Sequence, residues 1–115
     1  MQTVIYKIVT ADQWAEARRS GLFKGSAVDL ADGYIHFSTA TQVRETAAKH
    51  FRGDSNLLLV AIDESRLGEA LVYEPSRGGA LFPHLYEPLS VDAVLWEKPL
   101  PLKADGSHQF PELNA

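Results

Sequence analysis

Asp32-Gly33-Tyr34-Ile35-His36-Phe37-Ser38-Thr39 reads as a turn, a short strand and the start of a helix, in that order. Asp-Gly is a turn signal. In the strand that follows, alternate side chains point to opposite faces. Ile35 and Phe37 are therefore expected to face a core, and Tyr34, His36 and Ser38 to share the other side. Thr39, with Gln42 three positions on, has the pattern of a capping box and predicts a helix directly after the strand.

Upstream of this stretch, residues 4–9 are β-branched and aromatic and predict a first strand. Thr10 and Gln13 form another capping-box pattern, opening a helix with Trp14 and Ala17 inward and Gly21 at its end. Residues 22–33 read as an irregular connection.

Downstream, Val43, Ala47, His50 and Phe51 recur at helical spacing and predict a buried stripe. Residues 57–62 are a continuous apolar run, suited to a strand covered on both faces. Residues 70–74 and 91–97 read as further strands, and Pro83 and Pro88 make residues 81–89 stiff and non-helical. Helices fall early and strands late, which predicts an α+β domain with a mostly antiparallel sheet and two helices. Residues 1–102 are expected to form this single domain, and residues 103–115 a loosely ordered tail.

Bulk properties narrow the function classes. The 115-residue chain is long enough for one hydrophobic core. Its net charge of -4 disfavours a generic binder of nucleic-acid backbones. The absence of cysteine removes thiolate, disulfide and thiol-redox chemistry and fits a reducing cytoplasm. No segment approaches the roughly 20 apolar residues of a membrane span, and the start of the chain has no secretory-signal pattern.

No Walker loop, GxGxxG, GxSxG or HExxH motif is present. The candidate chemistry lies in weaker constellations. His36 sits mid-strand, where a neutral imidazole donates one hydrogen bond and accepts another. His84 lies in the stiff Pro83–Pro88 segment, which can hold a side chain in place. Each also has a plain structural reading, as a histidine satisfied by its own fold. Arg77-Gly78-Gly79 offers a guanidinium and backbone N–H groups to a phosphate, and equally an ordinary flexible loop. Tyr6, Trp14 and Tyr86 could stack on a flat ring or pack the core. His36, His84 and Asp29 show no close metal-ligand spacing, so no metal is expected.

The blocks 5–8, 32–39 and 82–86, with Trp14, Gly21 and Pro88-Leu89, resemble the bacterial domain-of-unknown-function family numbered nine hundred and fifty-two. The resemblance covers residues 4–99, and the Gly-aromatic-Ile-His-Phe-Ser and Phe-Pro-His-Leu-Tyr blocks are its most specific parts. It implies a fold related to the ADP-ribosyltransferases and RNA 2′-phosphotransferases, whose split, mostly antiparallel sheet surrounds an NAD-binding cleft. On that analogy Ser38 and Thr39 border the nicotinamide end, and Tyr6 and Lys7 occupy the first-strand cofactor positions. His36 contacts ribose or diphosphate, and His84 or Glu87 serves the acceptor or the developing cation; Glu74 is the other candidate glutamate. The implied activity is ADP-ribosyl transfer or cleavage of the nicotinamide glycosidic bond, with NAD or a related small nucleotide as ligand. The alternatives are a non-catalytic small-ligand module and a protein-interaction domain of the same fold.

Overall fold

Strands β1 (Val4–Thr10) and β5 (Leu57–Asp63) pair antiparallel along their whole length, from Val4 opposite Asp63 to Thr10 opposite Leu57. Both are almost entirely buried, as the continuous apolar run of β5 predicts for a strand covered on both faces. With β4 (Ser38–Thr39) beyond β1 and β9 (Val94–Pro99) beyond β5, they make a four-stranded sheet. The computed structural model describes residues 3–113.

The period-2 alternation of this sheet builds two cores. Ile5, Val9, Val60 and Ile62 face a first core shared with Trp14, Phe23, Ile35, Phe37 and Leu85. Tyr6, Ile8, Leu59 and Ala61 face a second core shared with Val43, Ala47 and Leu100. Lys7 falls in the Ile5–Val9 row, so the strand carries an ammonium into the first layer.

Helix α1 (Ala11–Ser20) begins at the Thr10–Gln13 capping box and ends at Gly21, which is left-handed at φ 88°. Trp14 and Ala17 are its buried residues, as predicted. β2 (Leu22–Phe23) follows, and then a helix the periodicity did not show, α2 (Ala27–Asp32). The described residues thus form three α-helices and not two. The reason is local: Ser26 and Asp29 form a reciprocal capping box. The helix is short, and its Val28 and Leu30 are exposed, so no apolar stripe announces it.

β3 (Ile35–His36) does not continue into β4 as one strand. At Phe37 the chain leaves one sheet and joins another. β3 pairs with β7 (Leu81–Leu85), which pairs with β6 (Leu71–Pro75), giving a three-stranded sheet ordered β3-β7-β6. Ser38, by contrast, lies opposite Tyr6 on β1. The expected common face of Tyr34, His36 and Ser38 is therefore broken after His36. β8 (Leu89–Ser90) pairs with β2, and every strand pair described is antiparallel.

Helix α3 (Val43–His50) starts later than Thr39. The Thr39 N–H donates to Gln42 Oε1, and the Gln42 N–H donates to the Thr39 carbonyl, each at 3.0 Å, closing a turn before the helix. Val43 and Ala47 are buried, whereas His50 is exposed and does not join the stripe.

Residues 103–113 do not form a loose tail. Leu102 and His108 form an antiparallel bridge, and Gln109 N–H donates to the Pro101 carbonyl at 2.9 Å. Phe110 and Leu113 pack against the second core. The turn Asp105-Gly106, left-handed at Gly106, folds this segment back on itself. No described helix is long and apolar enough to cross a membrane.

Candidate functional site

His36 on β3 and His84 on β7 are register partners. Side chains directly opposite on antiparallel strands have Cβ atoms roughly 5 Å apart, so the pairing alone brings the two imidazoles together. Their ring centroids are 5.3 Å apart at an interplanar angle of 69°. Tyr34, at the start of the same strand face, sits among them. Its ring centroid is 4.7 Å from His36, 4.2 Å from His84 and 5.2 Å from Tyr86.

His36 is held at both ring nitrogens. Nδ1 lies 2.6 Å from Asp29 Oδ1 and Nε2 lies 2.9 Å from Asp32 Oδ2. Carboxylates only accept, so the two contacts are simultaneous hydrogen bonds when the ring is an imidazolium with two donors. Both carboxylates come from α2, the short helix, three residues apart along its chain. The His36 backbone N–H also donates to Asp29 Oδ1, at 3.1 Å.

Asp29 is the hub of this side. It is buried and accepts from Lys7 Nζ at 3.1 Å and from the Ser26 N–H at 2.8 Å, besides the two bonds from His36. Burial alone would raise its carboxyl pKa. The His36 hydrogen bond, the Lys7 ammonium and the Ser26 N–H together outweigh burial and hold it well below the ordinary carboxylate range. Lys7 is buried as well; loss of hydration lowers its pKa, and Asp29 offsets part of that. The pair is a buried ion pair in which further acceptor capacity of Asp29 is filled by His36 and Ser26, and such added hydrogen bonds help offset desolvation.

His84 belongs to a separate cluster. It is buried, and its Nδ1 lies 2.8 Å from Glu74 Oε1. Val72 on β6 is its direct partner, so Glu74 is its diagonal neighbour two residues on, within reach of a long side chain. Tyr86 also donates to Glu74 Oε1, at 2.7 Å. Hydrogen bonds from Tyr86 and His84 lower the Glu74 carboxyl, and the bond to Glu74 pushes the Tyr86 phenol up to about 12. Nε2 of His84 has no hydrogen-bond partner among the described residues. A carboxylate on Nδ1 fixes the tautomer with the proton there, leaving Nε2 as the basic nitrogen.

The structure brings some expected site residues together and separates others. His36 and His84 converge. Glu74 is the carboxylate at His84, whereas Glu87 is exposed and makes no hydrogen bond or ion pair among the described residues. Lys7 lies beneath the site, buried and bonded to Asp29. Tyr6 is in the second core, its ring 5.9 Å from that of Trp96. Ser38 is buried with its Oγ 2.9 Å from Thr46 Oγ1. The Thr39 hydroxyl lies 3.2 Å from that of Thr41 on the outer edge of the four-stranded sheet. Tyr6, Ser38 and Thr39 therefore do not share a cleft with the two histidines. The side chain of Arg77 lies outside the described residues.

The sequence groups Asp29 with His36 only as a metal-ligand set, and gives Asp32 no role beyond the Asp-Gly turn. The Ser26–Asp29 capping-box spacing was the available signal, and Asp32 lies four residues before His36 in the quoted block. Among the described residues, no group of three or more His, Cys, Asp or Glu side chains is arranged to hold a metal ion.

A family model described as "Protein of unknown function (DUF952)" matches residues 8–97. The chain belongs to this family. The crystal structure of protein CC0527 from Caulobacter crescentus is similar at 56% identity and a TM-score of 0.90, covering 93% of this chain and 94% of that one. A double methionine variant of the same protein matches at 54% identity, with the same coverage and TM-score. The solution NMR structure of CC0527 matches at 56% identity and a TM-score of 0.83, covering 92% and 91% of the two chains. No curated protein matches this DUF952 chain.

Proposed function

We propose that the Tyr34, His36 and His84 face is an acid–base site for NAD or a related nucleotide, acting at the ribose carbon that carries nicotinamide. The observation that supports this reading is the convergence of two carboxylate-held imidazoles, His36 half-buried and His84 buried, on one half-buried tyrosine ring. The rings of Tyr34 and Tyr86 offer a stacking surface for a flat base. Asp32, exposed beside His36, accepts from ribose hydroxyls.

In the proposed reaction the C1′–N bond breaks and nicotinamide leaves with the bonding pair. A hydroxyl acceptor or water gives a lone pair to C1′, and its proton passes to His84 Nε2. Glu74 on Nδ1 stabilises the imidazolium that forms. Glu74 and Asp32 place negative charge near the cationic ribose, the sign that favours its formation.

The test is NAD labelled in the nicotinamide ring, incubated with the purified chain, together with an NMR titration of the histidine rings. Release of nicotinamide and saturable shifts at His36 and His84 are expected. Neither release nor saturable binding at millimolar NAD removes the proposal. A second reading, a binding module without turnover, draws on the full engagement of both His36 nitrogens and on the burial of Tyr6 and Ser38. Saturable binding with no release of nicotinamide selects it.

A further inference from the structure

His36 is shared between two carboxylates of α2 that are held in different ways. Asp29 is buried and accepts from Lys7 Nζ at 3.1 Å, the Ser26 N–H at 2.8 Å and the His36 N–H at 3.1 Å, besides the imidazole. Asp32 is exposed and reaches the sheet through His36 Nε2, at 2.9 Å. An imidazolium satisfies both carboxylates, because each ring nitrogen then carries a proton. A neutral ring has one N–H and one lone pair, so it serves one carboxylate and not both.

The surroundings choose which. Loss of the Nδ1 proton would leave a lone pair 2.6 Å from a buried carboxylate tied in place by its other donors. Such an opposed pair, shut away from water, is costly. Loss of the Nε2 proton sets a lone pair against an exposed carboxylate, which can turn out and be hydrated. The neutral ring therefore keeps its hydrogen on Nδ1, toward Asp29, and lets go of Asp32.

Little else fastens the far end of α2. Of its six residues Asp29 alone is buried, and Val28 and Leu30 are exposed. The Ser26–Asp29 box fixes its start. At its end the Gly33 and Tyr34 N–H groups donate to the Asp29 carbonyl, at 2.9 and 3.2 Å. Asp32 sits in that last turn, where the free helix carbonyls already gather negative charge and a cation is favoured. The His36 imidazolium is that cation.

We propose that His36 is a proton-operated clasp: charged, it pins the last turn of α2 to β3 through Asp32; neutral, it keeps Asp29, releases Asp32 and loosens that turn beside the histidine face. The charged and titratable groups around the ring are Asp29 and Asp32 from α2, Lys7 from β1 behind Asp29, His84 from β7, and Glu74 from β6 behind His84. Tyr34 lies against the ring, with Tyr86 beyond it. Asp29 stays ionised while an imidazole titrates, since its carboxyl is held well below the ordinary range. His84 is the neighbour that can titrate alongside His36. The clasp works without a ligand and does not rest on the nucleotide reading.

The experiment takes the full chain, without ligand, from about pH 5 to 9, the span around imidazole titration. Long-range proton–nitrogen NMR follows the charge and tautomer of each histidine ring. Amide exchange, corrected for its intrinsic pH dependence, follows Gly33 and Tyr34. As His36 loses its proton, Nδ1 is expected to keep its hydrogen. Protection at the Gly33 and Tyr34 amides is expected to fall about tenfold, the scale of one lost hydrogen bond to a charged group. Asp32→Asn, at an exposed position, is expected to abolish that fall while His36 still titrates. The asparagine amide accepts from the charged ring and, turned over, donates to the neutral one. A neutral His36 with its hydrogen on Nε2 overturns the clasp. So does protection that follows His84 or neither ring, a fall that persists in Asp32→Asn, or a His36 ring that keeps one charge state throughout.

Discussion

His36 and His84 face each other across one register position of β3 and β7, yet each is bonded to a different set of carboxylates. Both ring nitrogens of His36 are engaged, by Asp29 and Asp32, while His84 keeps Nε2 free beside Tyr34. Identical residues in facing positions thus differ in which ring nitrogens their neighbours occupy. In the proposed reaction His84 has a nitrogen left to take a proton, and His36 has none.

That division predicts unequal kinetics. His84→Gln is expected to lower nicotinamide release by about 100-fold or more, the range of general acid–base catalysis, with NAD binding little changed. Glu74→Gln is expected to lower turnover through the wrong His84 tautomer and to alter the pH–rate profile. Single-turnover assays alongside binding titrations separate the effects. Unchanged turnover in both variants discards His84 as the proton carrier.

Tyr34 touches both imidazoles and Tyr86, so its ring is the proposed stacking surface. Tyr34→Leu keeps apolar bulk and removes the π face. The expected loss of nucleotide affinity is about 3- to 10-fold, from the ~0.5–1.5 kcal/mol of an aromatic pair. Calorimetric titration with NAD reads it. An equal loss of affinity in Ser38→Ala, buried and bonded to Thr46, would move the ligand site to the other layer.

Asp29 anchors Lys7, His36 and the start of α2 at once. Asp29→Asn keeps the shape and removes the charge, leaving Lys7 buried without its counter-ion. Breaking a buried pair in this way costs about 3–5 kcal/mol, and urea unfolding is expected to show it as a lower midpoint.

The same residue sets an acid limb. The folded Asp29 carboxyl is held below its ordinary range by His36, Lys7 and Ser26 against the opposing effect of burial. In the unfolded chain an aspartate titrates near pH ~3.9. As pH falls through that value the unfolded chain takes up a proton that the folded chain refuses, so stability falls with falling pH. The loss continues until Asp29 itself protonates in the fold. Urea midpoints measured across the acid range are expected to decline more steeply in the natural chain than in Asp29→Asn. Parallel slopes would place the acid sensitivity elsewhere.

Much of this arrangement was legible in the sequence. β-Branched and aromatic residues marked β1, a continuous apolar run marked β5, and the Thr10–Gln13 box with Gly21 fixed α1 at both ends. His36 stood out as a polar residue in an otherwise apolar strand and His84 through its stiff proline-bracketed segment, which is strand β7 from Leu81 to Leu85. What failed was whatever depended on a change of partner between adjacent residues. Strand alternation through residues 34–38 assumes one sheet, and the chain changes sheets at Phe37, sending Ser38 to β1. Glu74 meets His84 through a diagonal across β6 and β7, a relation of register that spacing along the chain does not encode. Asp29 and Asp32 were hidden because α2 is stabilised by its caps and not by an apolar stripe.

Gly25 and Gly33 flank α2 and offer a controlled comparison. Both have positive φ, 120° and 88°. A Cβ at Gly33 meets nothing within 4 Å, whereas one at Gly25 would sit 2.8 Å from Asp29 Cβ. Gly33→Ala therefore carries only the left-handed backbone penalty, about 1 kcal/mol. Gly25→Ala adds a clash with a backbone-anchored carbon that cannot swing aside, at a φ more hostile to L-residues, and is expected to cost about 2–3 kcal/mol. Relief of the clash displaces Asp29 from His36 and Lys7, so Gly25→Ala is also expected to shift the His36 ring resonances while Gly33→Ala leaves them in place. Thermal unfolding and histidine NMR on the two variants provide the check, and equal costs with an unmoved His36 would show that Asp29 is not held against the Gly25 turn.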